Sequence, residues 1–196
     1  MSTDSDLVHI MDAATADAAR RSGTWLRCRP GCTQCCIGAF AISQLDADRL
    51  RAGLSELAKR DPMRAAAVRR RSRDWVERLS PEFPGDPSTG ILDESEPERF
   101  EAFANDEPCP VLDPAAGTCD LYAFRPATCR VFGPPVRSEG GIGICELNFV
   151  GAGETEILAA ELHVEWSALE DRLNQETEAR LGRHGNTTVA FAIAME

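Results

Sequence analysis

The chain has one lysine, Lys59, one tyrosine, Tyr122, and three histidines, His9, His163 and His184, in 196 residues. None of the histidines lies beside a cysteine, so a hydrolytic zinc site of the kind built from histidine and carboxylate has little to draw on. His163 is the best outside candidate for a ligand, and the other two are read as surface or packed residues. No run of about 18 apolar residues exists, which argues against a membrane-spanning helix. The first 24 residues have no basic stretch, no long apolar stretch and no small-residue cleavage site; they carry Asp4, Asp6, Asp12 and Asp17 instead, so the expectation is a cytoplasmic, non-exported protein. Surplus positive charge is also missing. A formal net charge of -11 disfavours binding to a phosphate backbone, and nucleic acid is not an expected partner. Aromatic residues are few, with eight phenylalanines and three tryptophans beside the lone tyrosine, which points to a modest core. Tyr122, Trp25, Trp75 and Trp166 are read as core fillers.

What the chain does have is cysteine, eight residues in two groups: Cys28, Cys32, Cys35 and Cys36, then Cys109, Cys119, Cys129 and Cys145. A free cysteine that serves as a small hydrophobe has no preferred spacing to its neighbours, so clustering calls for a shared ligand. In a reducing compartment thiols do not pair into disulfides, and soft-metal coordination is the better reading. The neighbours Cys35 and Cys36 agree with this, because a disulfide between adjacent residues is strained. Thiolates suit both zinc and iron-sulfur clusters, so the cofactor is an iron-sulfur cluster or zinc, with the choice open at this point. Cys32 and Cys35 form a chelating pair, while the gaps of nine, nine and fifteen residues from Cys109 to Cys145 match no zinc ribbon. A single centre joining both groups is therefore expected. Four thiolates around a divalent metal leave a double negative charge, and Arg27, Arg29, Arg125 and Arg130, which flank cysteines, are candidates to offset it.

Length suits one domain. Leu7, Ile10, Met11, Ala14 and Ala18 recur at helical spacing and predict an N-terminal helix over about 4–21, within residues 1–24. Residues 25–150 make the cysteine-cluster domain. Within it, Ser43-x-x-Asp46 reads as a cap before Leu45, Leu50, Leu54 and Leu57, and Asp61-Pro62 opens a second helix running to about Ser80. Ile37 to Ile42 reads as a brief extended segment. Residues 45–79 hold ten basic and six acidic side chains, whereas residues 80–120 hold one basic and eleven acidic, so a basic helical face precedes an acidic stretch. The stretch 81–107 is read as an acidic loop, and residues 81–96 within it are the best candidate for a mobile connector. Asp113 to Gly117 is a turn between two extended pieces, and Arg125-Pro126 opens a helical turn that carries Cys129. In residues 151–196, Ile157, Leu158, Leu162, Trp166, Leu169 and Leu173 predict one long helix over about 154–181. Val189, Phe191, Ile193 and Met195 alternate with small residues as a terminal strand would. The expected fold is mainly α, a single small domain with short extended segments and loops organised around a cysteine-ligated metal centre.

Four strings in order, C-R-P-G-C-T-Q-C-C from Cys28, C-P-V-L-D from Cys109, C-D-L-Y from Cys119 and R-P-A-T-C-R-V-F from Arg125, resemble the YkgJ-type cysteine-cluster family, a zinc- or iron-chelating domain. The likeness covers about residues 25–150. It implies that all eight cysteines, Cys145 included, are candidate metal ligands. Three functions are consistent with it: a metal-binding module for electron transfer or metal handling, a cluster-dependent protein-modifying enzyme of the lysine N-methylase kind, and a thiol redox sensor. The spacing C28-x3-C32-x2-C35 also matches radical S-adenosylmethionine enzymes, but those need a barrel of alternating strands and helices, which this chain does not show. Enzyme status, catalytic residues and any protein partner or substrate stay open on the sequence.

Overall fold

The computed structural model describes residues 2–138 and 141–195. About 54% of the described residues are helical, so the protein is mainly α, as the apolar periodicity predicts. In chain order the helices are α1 (Asp4–Ser22), α2 (Gln44–Arg60), α3 (Pro62–Leu79), α4 (Pro97–Glu101), α5 (Ala127–Val131), α6 (Glu154–Ala159), α7 (Ser167–Leu181) and α8 (Val189–Ala194). The strands are β1 (Ala41–Ile42), β2 (Gly85–Asp86), β3 (Ile91–Leu92), β4 (Leu112–Asp113), β5 (Thr118–Cys119), β6 (Val136–Ser138), β7 (Gly141–Gly143) and β8 (Thr187–Thr188). They pair antiparallel as β1 with β8, β2 with β3, β4 with β5 and β6 with β7. The chain divides into two compact units, Met1–Pro30 with Ala127–Gln175 and Gly31–Pro126 with Glu176–Glu196.

In the larger unit, α2, α3 and α8 pack on one another. Ser43 caps α2 by accepting the Asp46 N–H at 3.2 Å, and Asp61 caps α3 by accepting the Arg64 N–H at 3.0 Å, with Pro62 at the first helical position. Both starts agree with the sequence expectation, because a cap is a local device. The core gathers Ile42, Leu50, Leu54, Leu57, Val68, Val111, Leu121, Val189 and Ile193. Beside it lies an aromatic cluster in which Trp75 meets Phe103 edge-on at 5.7 Å and Phe83 meets Phe191 at 4.3 Å.

Gly53 lets the 3-10 turn Tyr122–Phe124 close against α2: a Cβ there would stand 2.4 Å from the Phe124 ring. Gly53→Ala gains about 1 kcal/mol of helix propensity but overpacks this contact at a cost of ~1–3 kcal/mol. A lowered urea midpoint is expected, and an unchanged or raised one would show that the ring swings aside.

Three expectations give way to tertiary contacts. The stretch 81–107 carries its own elements, the β2–β3 hairpin and α4, and it buries Phe83, Leu92 and Phe103 in the aromatic cluster. The segment 189–194 is a helix, α8, and not a strand; Thr188 caps it by accepting the Phe191 N–H at 3.5 Å. Val189 through Ile193 are all buried, so alternation along this segment could not distinguish an inner from an outer face.

The third difference lies in the smaller unit, where α1 packs on α5 and α6 and buries Leu7, Met11 and Ala18. The helix expected over 154–181 breaks after Ala159 and resumes at Ser167. Leu162, still buried, gives its N–H to the Pro135 carbonyl at 2.8 Å, and Glu161 pairs with Arg137 at 2.7 Å, which draws this stretch to the β6–β7 hairpin. Arg21 reaches the Ala159 and Glu161 carbonyls at 2.7 and 3.0 Å and so satisfies carbonyl groups at the break. No described helix is long and apolar enough to cross a membrane.

Candidate metal centre

No disulfide joins the eight cysteines, which are divided between the units: Cys32, Cys35, Cys36, Cys109 and Cys119 in the larger, Cys28, Cys129 and Cys145 in the smaller. The first group is split within its own motif, since the boundary falls at Pro30 and Gly31, between Cys28 and Cys32.

In the larger unit a 3-10 turn, Gln34–Cys36, carries two of the thiols, closed by the Cys36 N–H to the Thr33 carbonyl at 2.8 Å. The chain after it bonds to the chain before β4. Gly38 donates to the Glu107 carbonyl at 2.8 Å, Ile37 bridges Pro108, and Cys109 donates its N–H to the Cys36 carbonyl at 2.7 Å. Cys109 and Cys119 then stand near the open end of the β4–β5 hairpin, where Leu112 faces Cys119, and both pack against the main core. Motifs distant in sequence thus meet through backbone bonds.

The hairpin is strapped to α3. Asp120, next to Cys119, has a side chain only 1% exposed and accepts from Arg64 and, at 2.6 Å, from Arg71, which also donates to the Pro110 carbonyl at 2.8 Å. The basic helical face and the acidic stretch seen in the sequence pair here within one unit, and again at Arg78 with Glu107, 2.8 Å apart.

The thiols of this unit sense one another. A side-chain hydrogen bond with Cys36, burial and the Cys36 charge all push the Cys35 thiol well above the usual range, and burial pushes Cys119 up. The Cys35 charge adds a small push in the same direction on Cys119, and Arg125 acts in the opposite sense on both. Cys35 and Cys119 are therefore held as neutral thiols, and a metal bound by them must displace their protons.

Of the four flanking arginines, Arg125 acts on the Cys35 and Cys119 thiols; its guanidinium lies 4.1 Å from the centre of the Tyr122 ring. Tyr122 is 64% exposed and is no core filler. Arg130 is buried and donates to Asp12 at 2.9 Å, an ion pair between α5 and α1. His163 lies outside any helix, and all three histidines are exposed; His184 faces Glu178 at 3.4 Å.

In the smaller unit Cys145 is buried, Cys129 rides on α5 and Cys28 is exposed. Sequence reading passed over the residue that touches this set. Asn148 donates from Nδ2 to Cys28 Sγ at 3.5 Å. Asparagine is common enough that nothing in its local pattern marked it.

The donor chemistry fits a soft metal: thiols, a neighbouring cation and no competing hard-ligand cage. Among the described residues, no three cysteine, histidine, aspartate or glutamate side chains stand together as a formed metal site. The expected single cysteine-ligated centre is not shown among the described residues.

A small, mainly helical protein with its thiols on turns and hairpin ends belongs to the class of cysteine-rich chelating domains. Within that class the chain belongs to the CxxCxxCC family, described as a "putative zinc- or iron-chelating domain", whose model matches residues 27–141. The match spans Cys28 to Cys129 and stops before Cys145 and Asn148. The first cysteine gap here is three residues where the family pattern has two, and the unit boundary falls in that gap. Neither the curated proteins nor the solved structures give a match.

Proposed function

We propose that this protein binds zinc or an iron-sulfur cluster through its cysteines and serves in metal handling or electron transfer in the cytoplasm. All eight cysteines are candidate ligands, and those of the larger unit, Cys32, Cys35, Cys36, Cys109 and Cys119, are the principal donor set. The observation that carries this reading is the bond from the Cys109 N–H to the Cys36 carbonyl, which joins the two cysteine-bearing segments of the larger unit. This bond ties the Cys35–Cys36 turn of the first cysteine group to the Cys109–Cys119 hairpin of the second within the larger unit. A bound soft cation supplies Lewis acidity or, as a cluster, one-electron chemistry. The chain's own residues do the rest. Arg125 offsets thiolate charge, and Asp120 with Arg64 and Arg71 holds the hairpin that presents Cys109 and Cys119. Eight cysteines without a disulfide suit a reducing compartment.

The test is the metal and acid-labile sulfide content of protein purified without air, with a visible spectrum. Stoichiometric zinc without sulfide, or iron with matching sulfide, is the expected result. Protein that stays metal-free after reconstitution with either would overturn the reading.

A further inference from the structure

Asn148 is buried, 5% exposed, and spends its polar atoms on the chain around the thiols of the smaller unit. Its Nδ2 donates to the Gly133 carbonyl at 2.8 Å and to Cys28 Sγ at 3.5 Å. Its Oδ1 accepts the Arg27 N–H at 2.8 Å, and its own N–H donates to the Cys145 carbonyl at 2.8 Å. One side chain with its backbone therefore touches the residue before Cys28, the sulfur of Cys28, the carbonyl of Cys145 and the turn that follows the Cys129 helix.

Gly133 completes the arrangement. Its φ of +131° lies in the region that favours glycine, and a Cβ there would stand 3.0 Å from Cys28 Sγ. The sulfur thus sits against bare backbone on one side and receives an amide N–H. A metal-bound thiolate carries negative charge, and an N–H aimed at sulfur from a buried amide complements it; such outer donors orient ligands and tune the metal they hold.

We propose that Asn148 is a positioning residue for Cys28 as a soft-metal ligand, acting on the metal through its N–H to the Cys28 sulfur. This rests on the reading that the cysteines bind metal, and it adds a residue, Asn148, that lies outside the family match.

Cobalt(II) is the probe, because its sulfur-to-metal absorption reports how many thiolates bind and how strongly each donates. Wild type, Asn148→Asp, Cys28→Ser and the double variant are compared by competition against a chromophoric chelator and by spectrum. Asn148→Asp keeps the size and the acceptor for Arg27 but loses both donations. The expected result is a roughly 10–100-fold loss of cobalt affinity with the sulfur band moved to lower energy. In the double variant the Asn148→Asp change adds little to Cys28→Ser, which shows that it acts through that sulfur. A purely structural role would leave the band energy in place, and additive losses or an unchanged affinity would overturn the proposal. Should Asn148→Asp fail to fold, Cys28→Ser decides: undiminished sulfur-band intensity would mean that Cys28 is no ligand. Wild type that binds no cobalt sinks the metal reading itself and this inference with it, an outcome distinct from a wild type that binds while Asn148→Asp changes nothing.

Discussion

Replacing Cys35 and Cys119 together by serine will remove stoichiometric zinc or iron from the protein. The two thiols come from different cysteine groups yet lie in the same, larger unit, where Arg125 acts on both. Serine is close in volume, so the replacement takes away donor chemistry more than packing. Loss of an outer-shell partner costs about 10–100-fold in metal affinity, and losing two ligands should exceed that. Because metal-binding free energy is also folding free energy, the thermal midpoint of the wild type should fall on chelation toward that of the double variant, which should itself respond little to chelator. Metal analysis and thermal melts with and without chelator check both halves. His184→Ala, at an exposed residue paired only with Glu178, is the control and should keep its metal. Full metal occupancy in the double variant would mean that these thiols are bystanders.

The second large effect is on stability alone. Arg49 and Asp46, one turn apart at the start of α2, form an ion pair with both side chains only 5% exposed. Taking Asp46 to alanine leaves a guanidinium charge in a low-dielectric site without its carboxylate, which typically costs about 3–5 kcal/mol. Against a total of roughly 5–15 kcal/mol for a folded protein, that is a large share. Urea unfolding should show a much lower midpoint for Asp46→Ala, whereas Glu56→Gln, which breaks the exposed pair with Lys59 on the same helix, should leave it where it was. Equal effects from the two changes would show that burial does not set the worth of the Asp46–Arg49 pair.

Much of the helical framework was legible in the chain. The caps at Ser43 and Asp61 read correctly because a cap needs only residues within one turn of each other. The hairpin around Asp113–Gly117 and the helical turn bearing Cys129 were legible for the same reason. The helix break near Leu162 was not, because the Pro135 carbonyl that draws its N–H lies just before β6, in a segment distant along the chain. The terminal helix α8 misled because a segment buried on all sides has no polar face to set its period. Neither Asp120 nor Asn148 stood out, since each is marked only by what it touches across the fold.

The sequence by itself determined the chemistry: eight thiols, histidines set apart from them, mainly helical elements and the family to which these spacings belong. Ligand type and local periodicity are properties of residues and near neighbours, so they can be read along the chain. Only the tertiary structure decided the grouping, placing Cys28 with Cys129 and Cys145 in one unit and the other five cysteines in the second. That grouping depends on bonds between distant segments, such as Cys109 to Cys36 and Asn148 to Cys28, which form only once the helices have packed.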